Sequence, residues 1–261
     1  MKNLIRTLAA TAAAAVGALA LTASAGASGM GAQVIGGDPA EEGQFPYLVS
    51  LQSGGHFCGG SLIAEDVVLT AAHCVEGSGP GDFTVKHGSV ALDSPDMNEY
   101  EVADVEVAPD YGQGSRFSWD WALVQLTEPV EGAETVALSD GSVDEGPTFT
   151  VAGWGVTDDG GLANEQQFVE VPFVDDQTCS EAYGSSLDPE SMVCAGDVEN
   201  GGVDSCQGDS GGPLVAGEEG SHVLAGIVSW GQGCAEPGYP GVYSQVSSFR
   251  DDVENGLARL G

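Results

Sequence analysis

A short glycine-rich segment near the carboxyl-terminal end of the chain has the residues of a nucleophilic site. It reads CQGDSGGP over residues 206–213, with Ser210 between glycines. A serine hydroxyl is too weak a nucleophile to attack an amide unaided, so this chemistry requires a general base and a group that orients the base. Backbone N–H groups in such a turn can stabilise the negative charge that develops on the attacked carbonyl. The segment therefore predicts covalent catalysis at Ser210.

Two upstream segments offer the base and its orienting partner. His73 lies in TAAHC, residues 70–74, and Asp120 lies in WDWALV, residues 119–124, directly ahead of a strand-like run. An imidazole can take the serine proton, and a carboxylate can hold that imidazole in the useful tautomer. The order along the chain is thus His, Asp, Ser.

Together these segments resemble the chymotrypsin and trypsin family of serine proteases, most of all the secreted trypsins of actinobacteria. The resemblance runs from Val34 to about Val246, nearly the whole chain after its leader. It implies that Ser210, His73 and Asp120 form a triad that hydrolyses peptide bonds through an acyl-enzyme. It also implies an oxyanion hole made by the backbone N–H groups of Gly208 and Ser210.

The resemblance also assigns a specificity pocket. Asp204 lies six residues before the serine and would pair with an incoming Arg or Lys side chain at the base of that pocket. Ser205, Gly231, Gly241 and Tyr243 would complete its walls. Ser229, Trp230 and Gly231 would form the strand edge on which the substrate backbone pairs. These residues imply cleavage after Arg or Lys.

Two other functions stay open at this point. One is a catalytically dead homologue used for binding, although all three triad positions match. The other is a chymotrypsin- or elastase-like preference, against which Asp204 and the small residues at positions 231 and 241 argue.

Activation is implied by VIGG at residues 34–37. In the family the new ammonium group of the residue at Val34 folds inward and pairs with the aspartate before the serine, here Asp209. Gln33 precedes this cut, so a trypsin is not expected to activate the precursor by its own specificity.

The amino-terminal residues are typical of an export signal. MKNLIR is followed by an alanine- and leucine-rich stretch to about Leu21 and by the small residues ASA at 23–25. We expect a signal peptide over 1–25, a propeptide over 26–33 and a protease domain over 34–261. No later segment approaches the roughly 20 apolar residues of a membrane span, so a secreted, extracellular protein is expected.

Short valine-rich runs separated by turn residues predict an all-β fold. The 40 glycines and 12 prolines punctuate these runs, which is typical of a sandwich or barrel. The resemblance implies two antiparallel six-stranded β-barrels, over about 34–135 and 136–246. Phe249, Val253 and Leu257 recur every four residues and predict a helix over about 247–258, with Ser247 or Ser248 as its N-cap.

The 6 cysteines all follow the leader, and an even number in an exported chain predicts three disulfides whose pairing the sequence leaves open. The resemblance selects Cys58 with Cys74, Cys179 with Cys194, and Cys206 with Cys234.

The formal charge of -34 excludes some partners. Two of the six basic residues lie in the leader and no acid does, so the chain after residue 33 is more negative still. Such a surface repels nucleic acid and anionic membranes. Whether it steers cationic peptides or suits salty surroundings is open.

Protein or peptide substrates with Arg or Lys are the expected partners, with protein protease inhibitors as further candidates, and we expect a monomer. No cofactor is expected to be required. Asp93, Asp96 and Glu99 offer calcium-type ligands, but their spacing is not that of an EF-hand. The remaining histidines, His56, His87 and His222, are interpreted as surface or packing residues.

Overall fold

The computed structural model describes residues 36–157 and 160–260. In these ranges the backbone forms β1 Asp38–Pro39, β2 Leu48–Gln52, β3 His56–Ala64, β4 Val67–Thr70, β5 Thr84–His87, β6 Asn98–Val107, β7 Ala122–Leu126, β8 Ala137–Leu138, β9 Thr148–Gly153, β10 Gln167–Val174, β11 Met192–Ala195, β12 Pro213–Ala216, β13 Val223–Trp230 and β14 Gly241–Gln245. The helices are α1 Ala72–Val75, α2 Asp176–Tyr183 and α3 Val246–Leu260, and a 3₁₀ turn follows α2 at Gly184–Ser186.

The strands close into two antiparallel barrels. The first has the order β2-β3-β4-β7-β6-β5, and the second has the order β9-β10-β11-β14-β13-β12, closed by the pairing of β12 with β9. Two short strands lie outside these rings: β1 pairs with β10, and β8 pairs in parallel with β13. The prediction of two six-stranded barrels is therefore confirmed.

Alternating apolar side chains fill each barrel. In β2, Val49 and Leu51 are fully buried, and in β9 Phe149 and Val151 are buried in the same alternation. A period of two places every second side chain on one face of a strand, so each barrel has a continuous apolar interior. This rigid pair of cores supports the loops that carry the polar site residues.

The carboxyl-terminal helix α3 packs on the first barrel. Phe249 stacks on Trp121 with ring centroids 5.5 Å apart, and Val253 is fully buried. The helix begins at Val246, ahead of the serines expected as its N-cap, and leaves helical angles at Phe249. The hydroxyl of Ser247 donates instead to the buried carboxylate of Asp144.

Helix α2 was not predicted. Its N-cap is Asp175, whose carboxylate accepts from the backbone N–H of Thr178 at 3.0 Å. An aspartate in that position satisfies one of the free amides of the first turn. The helix has eight residues, and Cys179 is its one buried residue. A single buried side chain gives no helical period of apolar residues that could be recognised in the sequence.

The predicted signal peptide and propeptide, and Gln33 and Val34 with them, lie outside the described residues. Within those residues no helix combines the length and apolar character needed to cross a bilayer.

Candidate active site

His73 is carried by α1, the single helical turn that follows β4. The disulfide from Cys58 on β3 to Cys74 fixes this turn to the first barrel. The imidazole is about a quarter exposed, with a side-chain exposure of 23%. Although Cys58, His73 and Cys74 cluster, both sulfurs are in the disulfide and are not thiolate ligands for a metal.

Asp120 lies in the loop before β7 and is completely buried. Its Oδ1 accepts from the backbone N–H of His73 at 2.8 Å, and its Oδ2 lies 2.7 Å from Nδ1 of the same residue. An ionised carboxylate can only accept, so Nδ1 carries the proton and Nε2 keeps a free lone pair. The pair therefore holds His73 in the tautomer of a general base.

Two serines of the second barrel donate hydrogen bonds to Asp120. Ser229 donates its hydroxyl to Oδ2 at 2.5 Å, and Ser244 donates to the backbone carbonyl at 2.9 Å. Trp119, just before the aspartate, adopts a φ of 58°, a conformation that a bulky side chain seldom takes. The carboxylate is thus positioned by contacts from both barrels.

Ser210 lies in the loop between the disulfide-bonded Cys206 and β12. Its carbonyl accepts from Gly59 N–H at 2.8 Å, and the next amide, that of Gly211, donates to Val228 O at 2.8 Å. A Cβ at Gly211 would lie 2.2 Å from Thr70 Oγ1, so the loop packs too closely on the first barrel for a side chain there. These contacts hold the serine between the two barrels.

The structure brings Ser210 to the same pocket as Ser229, whose hydroxyl contacts Asp120. Among the described residues, Ser210 Oγ makes no hydrogen bond to His73, and His73 Nε2 lies 3.7 Å from Sγ of Cys74. Bonds between nucleophile and base are often long before substrate binds.

The predicted oxyanion hole has free donors. Within residues 36–157 and 160–260 the backbone N–H groups of Gly208 and Ser210 donate to no protein acceptor, whereas the neighbouring carbonyl of Gln207 accepts from Val156 at 2.7 Å. Gly208 has a φ of +99°, and a Cβ there would lie 2.7 Å from a methyl carbon of Leu162. Only glycine fits this turn without strain.

His56, interpreted from the sequence as a surface or packing residue, lies directly behind this turn. Its Nδ1 is 2.8 Å from Ser50 Oγ, and its Nε2 is 2.9 Å from the carbonyl oxygen of Gly208. Burial lowers its pKa. A neutral imidazole protonated at Nε2 donates to Gly208 O, which orients the peptide beside the free amides. The signal available in the sequence was its place two residues before Cys58.

Asp209 points away from solvent and is fully buried. Its oxygens accept from the backbone N–H of Gly155 at 2.8 Å and of Cys206 at 2.9 Å. Burial raises the pKa of this carboxyl to about 6. Its proposed partner, the amine of Val34, lies outside the described residues, which begin at Gly36.

A cavity of about 300 Å³ is lined by both Ser210 and Asp204. Of the residues assigned to the pocket, Asp204, Ser205, Ser229, Trp230 and Gly231 line it directly. Gly241 and Tyr243 lie against Asp204: a Cβ at position 241 would meet Oδ1 at 2.4 Å, and Tyr243 Oη is 3.5 Å from the same oxygen. The structure therefore gathers the whole predicted pocket.

Asp204 is 4% exposed and accepts backbone N–H groups from Ser205 at 2.8 Å and Ala235 at 3.2 Å. Burial raises its pKa to about 6. No cationic side chain among the described residues pairs with it. A desolvated carboxylate without a cation attracts one strongly.

Phe117 is a pocket residue that sequence reasoning missed. Its ring packs against His73 at 5.8 Å between centroids and against Trp230 at 6.2 Å. It lies three residues before Asp120, in a loop without a strand or helix pattern, so only the folded chain shows its contacts.

Comparison with known proteins decides the family. Residues 34–253 match the family model described as Trypsin. The chain belongs to the trypsin family. It is 42% identical over 258 residues to a trypsin-like protease of Streptomyces glaucescens, covering 95% of this chain and 93% of that protein. It is 41% identical to a trypsin of Saccharopolyspora erythraea and 40% identical to a vitellin-degrading protease of Bombyx mori, covering 84% and 87% of this chain and 95% and 87% of those proteins, respectively.

As a trypsin family member the protein is a serine endopeptidase, a hydrolase whose substrates are proteins. Its three disulfides are Cys58–Cys74, Cys179–Cys194 and Cys206–Cys234, the pairing implied by the resemblance. The carboxylates of Asp93, Asp96 and Glu99 do not converge on a common point in the described chain. Asp93 instead accepts from Asn164, and Glu99 pairs with Lys86.

Proposed function

We propose that the protein is a secreted, trypsin-like endopeptidase that cleaves after Arg or Lys. The observation that carries this proposal is Asp204, a buried carboxylate that has no cationic partner among the described residues and that lines the cavity beside Ser210. A guanidinium or ammonium group entering the cavity supplies the missing charge. The apolar side chains favoured by chymotrypsin- or elastase-like enzymes would leave that carboxylate unpaired, at a free-energy cost.

The geometry of the site supports the following catalytic roles. Ser210 Oγ attacks the scissile carbonyl, while Nε2 of His73 takes its proton and delivers it to the leaving amine. Asp120 stabilises the imidazolium through the contact at 2.7 Å. The free backbone N–H groups of Gly208 and Ser210 donate to the developing oxyanion, and losing one such donor costs about 3 to 4 kcal/mol of transition-state stabilisation.

Activation of the enzyme depends on Asp209 in this proposal. A new amine at Val34 pairs with the buried carboxylate, which shares its loop with the oxyanion amides. The position of Gly36, two residues after Val34, supports this route. A Cβ at Gly36 would lie 2.2 Å from Gly202 O, so the backbone at Gly36 packs closely against the segment that leads to Asp204. Export depends on the leader over residues 1–25.

Turnover of chromogenic peptides tests the proposal. We expect the chain beginning at Val34 to cleave peptides ending in Arg or Lys and to bind an active-site titrant stoichiometrically. Ser210→Ala should retain the fold and lose titration. Asp204→Ser should lower kcat/KM on basic peptides by orders of magnitude and spare aromatic ones. A titratable enzyme that prefers aromatic peptides would overturn the Arg or Lys specificity, and failure to titrate would favour a binding protein.

A further inference from the structure

An arginine with an exposed charge lies beside the cavity. Arg116 belongs to the loop between β6 and β7 and precedes Phe117, which lines the cavity together with Ser210 and Trp230. The guanidinium lies over the phenyl ring, with Cζ 4.9 Å from the ring centroid. A cation in this position is attracted by the negative face of the ring, which favours one place for a long side chain. The ring therefore holds a positive charge at the rim of the cavity.

The other basic residues after residue 33 are Lys86, Arg250 and Arg259, and all three are paired. Each contacts a glutamate, with a nitrogen-to-oxygen distance of 3.6 Å for Lys86 and 2.7 Å for Arg250. In the described part of the chain the guanidinium of Arg116 has no carboxylate partner. None of the three paired residues lines the cavity. Arg116 is thus the unpaired cation of this cleft among the described residues.

The acids nearest to Arg116 along the chain are already bound. Residues 113–115 and 117–119 carry no charge. Asp110 accepts from the side-chain amide of Gln113 at 2.7 Å, and Asp120 is buried against His73. The guanidinium is therefore available to a carboxylate of another molecule.

The contacts of Phe117 relate this charge to the substrate. Its ring packs on His73 at 5.8 Å and on Trp230 at 6.2 Å between centroids. In the proposed mechanism His73 reaches the leaving nitrogen, and Trp230 belongs to the strand edge that pairs with the substrate residues before the cleaved bond. Side chains of an extended backbone point alternately to two sides, so some of these residues direct their side chains toward the wall formed by Phe117.

We propose that Arg116 selects substrates with an aspartate or glutamate at the second, third or fourth residue before the cleaved bond, the first being the Arg or Lys. The inference rests on the proposed function, because Asp204 must hold the basic side chain to fix the register of the peptide. The acidic side chain pairs with the guanidinium at the rim of the cavity. Arg116 acts on substrate binding and takes no part in the chemistry.

The acidity of the whole protein does not cancel this local preference. The formal charge of -34 repels acidic segments at a distance. At about 0.1 M salt, however, charges on the surface are screened beyond about 10 Å, so a cation in direct contact outweighs distant acids. An exposed pair of opposite charges changes a binding constant by up to about fivefold. The expected preference is therefore modest and sensitive to salt.

Matched chromogenic peptides test the proposal on the chain beginning at Val34. Each peptide ends in Arg, and one of the three preceding positions carries either Glu or its uncharged isostere Gln. At the position that reaches Arg116, kcat/KM for the Glu peptide should exceed that for the Gln peptide about three- to fivefold, mainly through a lower KM. Raising the salt from about 0.05 to about 1 M should remove most of this difference.

Four variants assign the preference to one charge. Arg116→Gln should bring the Glu-to-Gln ratio of kcat/KM to one or below, Arg116→Lys should keep most of the preference, and Arg116→Glu should make the Gln peptide the better substrate. Arg250→Gln, which removes the same charge from a paired site on α3, should keep the ratio of the natural chain. Each ratio compares two peptides on one variant, so a general loss of activity cancels.

The outcomes separate the two proposals. No turnover of any Arg peptide by the natural chain would overturn the proposed function and this inference with it. Normal turnover with equal rates for Glu and Gln at all three positions would overturn the inference alone. A Glu preference that persists in Arg116→Gln would place the selecting group elsewhere and also overturn it. A preference lost equally in Arg116→Gln and Arg116→Lys would show that the side chain acts through its contact with Phe117 and not through its charge.

Discussion

Ser229 and His73 contact the same oxygen of Asp120. The hydroxyl of Ser229 donates to Oδ2 at 2.5 Å, and Nδ1 of His73 lies 2.7 Å from that oxygen. Ser229 belongs to β13 of the second barrel, whereas His73 and Asp120 belong to the first. One carboxylate oxygen therefore links the base of the proposed triad to the strand that forms the substrate edge.

The first prediction concerns this link. Ser229→Ala removes a donor from a buried carboxylate, and a hydrogen bond to a charged group contributes about 1.5 to 3 kcal/mol. We expect kcat/KM on an arginine peptide to fall roughly 10- to 100-fold, mainly in kcat. Ser244→Ala is the matched control, since its hydroxyl contacts only the backbone carbonyl of Asp120, at 2.9 Å. Equal effects of the two substitutions would contradict the role given to Oδ2.

A second prediction follows from the titration of Asp204. Burial raises its pKa to about 6, so the empty pocket takes up a proton as pH falls through that value. A cationic ligand binds the ionised form. We expect the inhibition constant of benzamidine to be flat above this pH and to rise about tenfold per pH unit below it. Asp204→Asn should bind weakly without this dependence, and a flat profile in the natural chain would show a carboxylate that stays ionised.

The two glycines of the pocket give a third prediction. A Cβ at Gly241 would lie 2.4 Å from Oδ1 of Asp204, whereas a Cβ at Gly231 finds its nearest atom at 3.9 Å. Asp204 is held by two backbone N–H groups and cannot withdraw freely. We expect Gly241→Ala to weaken benzamidine binding roughly tenfold or more and Gly231→Ala to weaken it less. Calorimetric titration of both variants measures this difference, and the reverse order would mean that the cation does not reach Asp204.

The fourth prediction concerns activation. A chain beginning at residue 26 leaves Asp209 without the amine of Val34, and we expect active-site titration to detect little or no competent enzyme. The chain beginning at Val34 should titrate fully, and Asp209→Asn in that chain should not. Full titration of the extended chain would remove Asp209 from the switch.

The stability of the same extended chain should depend on pH in the acid range. The pKa of Asp209 is raised from 3.8 to about 6 in the folded state, so folded protein holds this proton at pH values where unfolded protein has lost it. Its free energy of unfolding should therefore fall as pH rises from about 4 to 6. Asp209→Asn should make the free energy of unfolding fall less steeply with pH. Some decrease should remain, because the pKa of Asp204 is raised to about 6 as well. Denaturant unfolding at several pH values measures both.

Residues with a local signature were predictable. The turn that carries Ser210 needs glycine where φ is positive, and this need is visible as CQGDSGGP. The strands of the barrels were visible as short valine-rich runs. Helix α2 was not, because eight residues with one buried side chain show no period. The contact of His56 with the carbonyl of Gly208 was not predicted, because that carbonyl is 152 residues away in sequence.

The sequence by itself determined the resemblance to the trypsin family and the candidates for nucleophile, base, orienting aspartate and acidic pocket residue, because these depend on residue type and local backbone needs. The tertiary structure alone decided which distant groups meet: Ser229 on Asp120, Phe117 on His73, and His56 on the carbonyl of Gly208. Such contacts join segments far apart in the chain, and closure of the two barrels sets their distances. No local pattern encodes them.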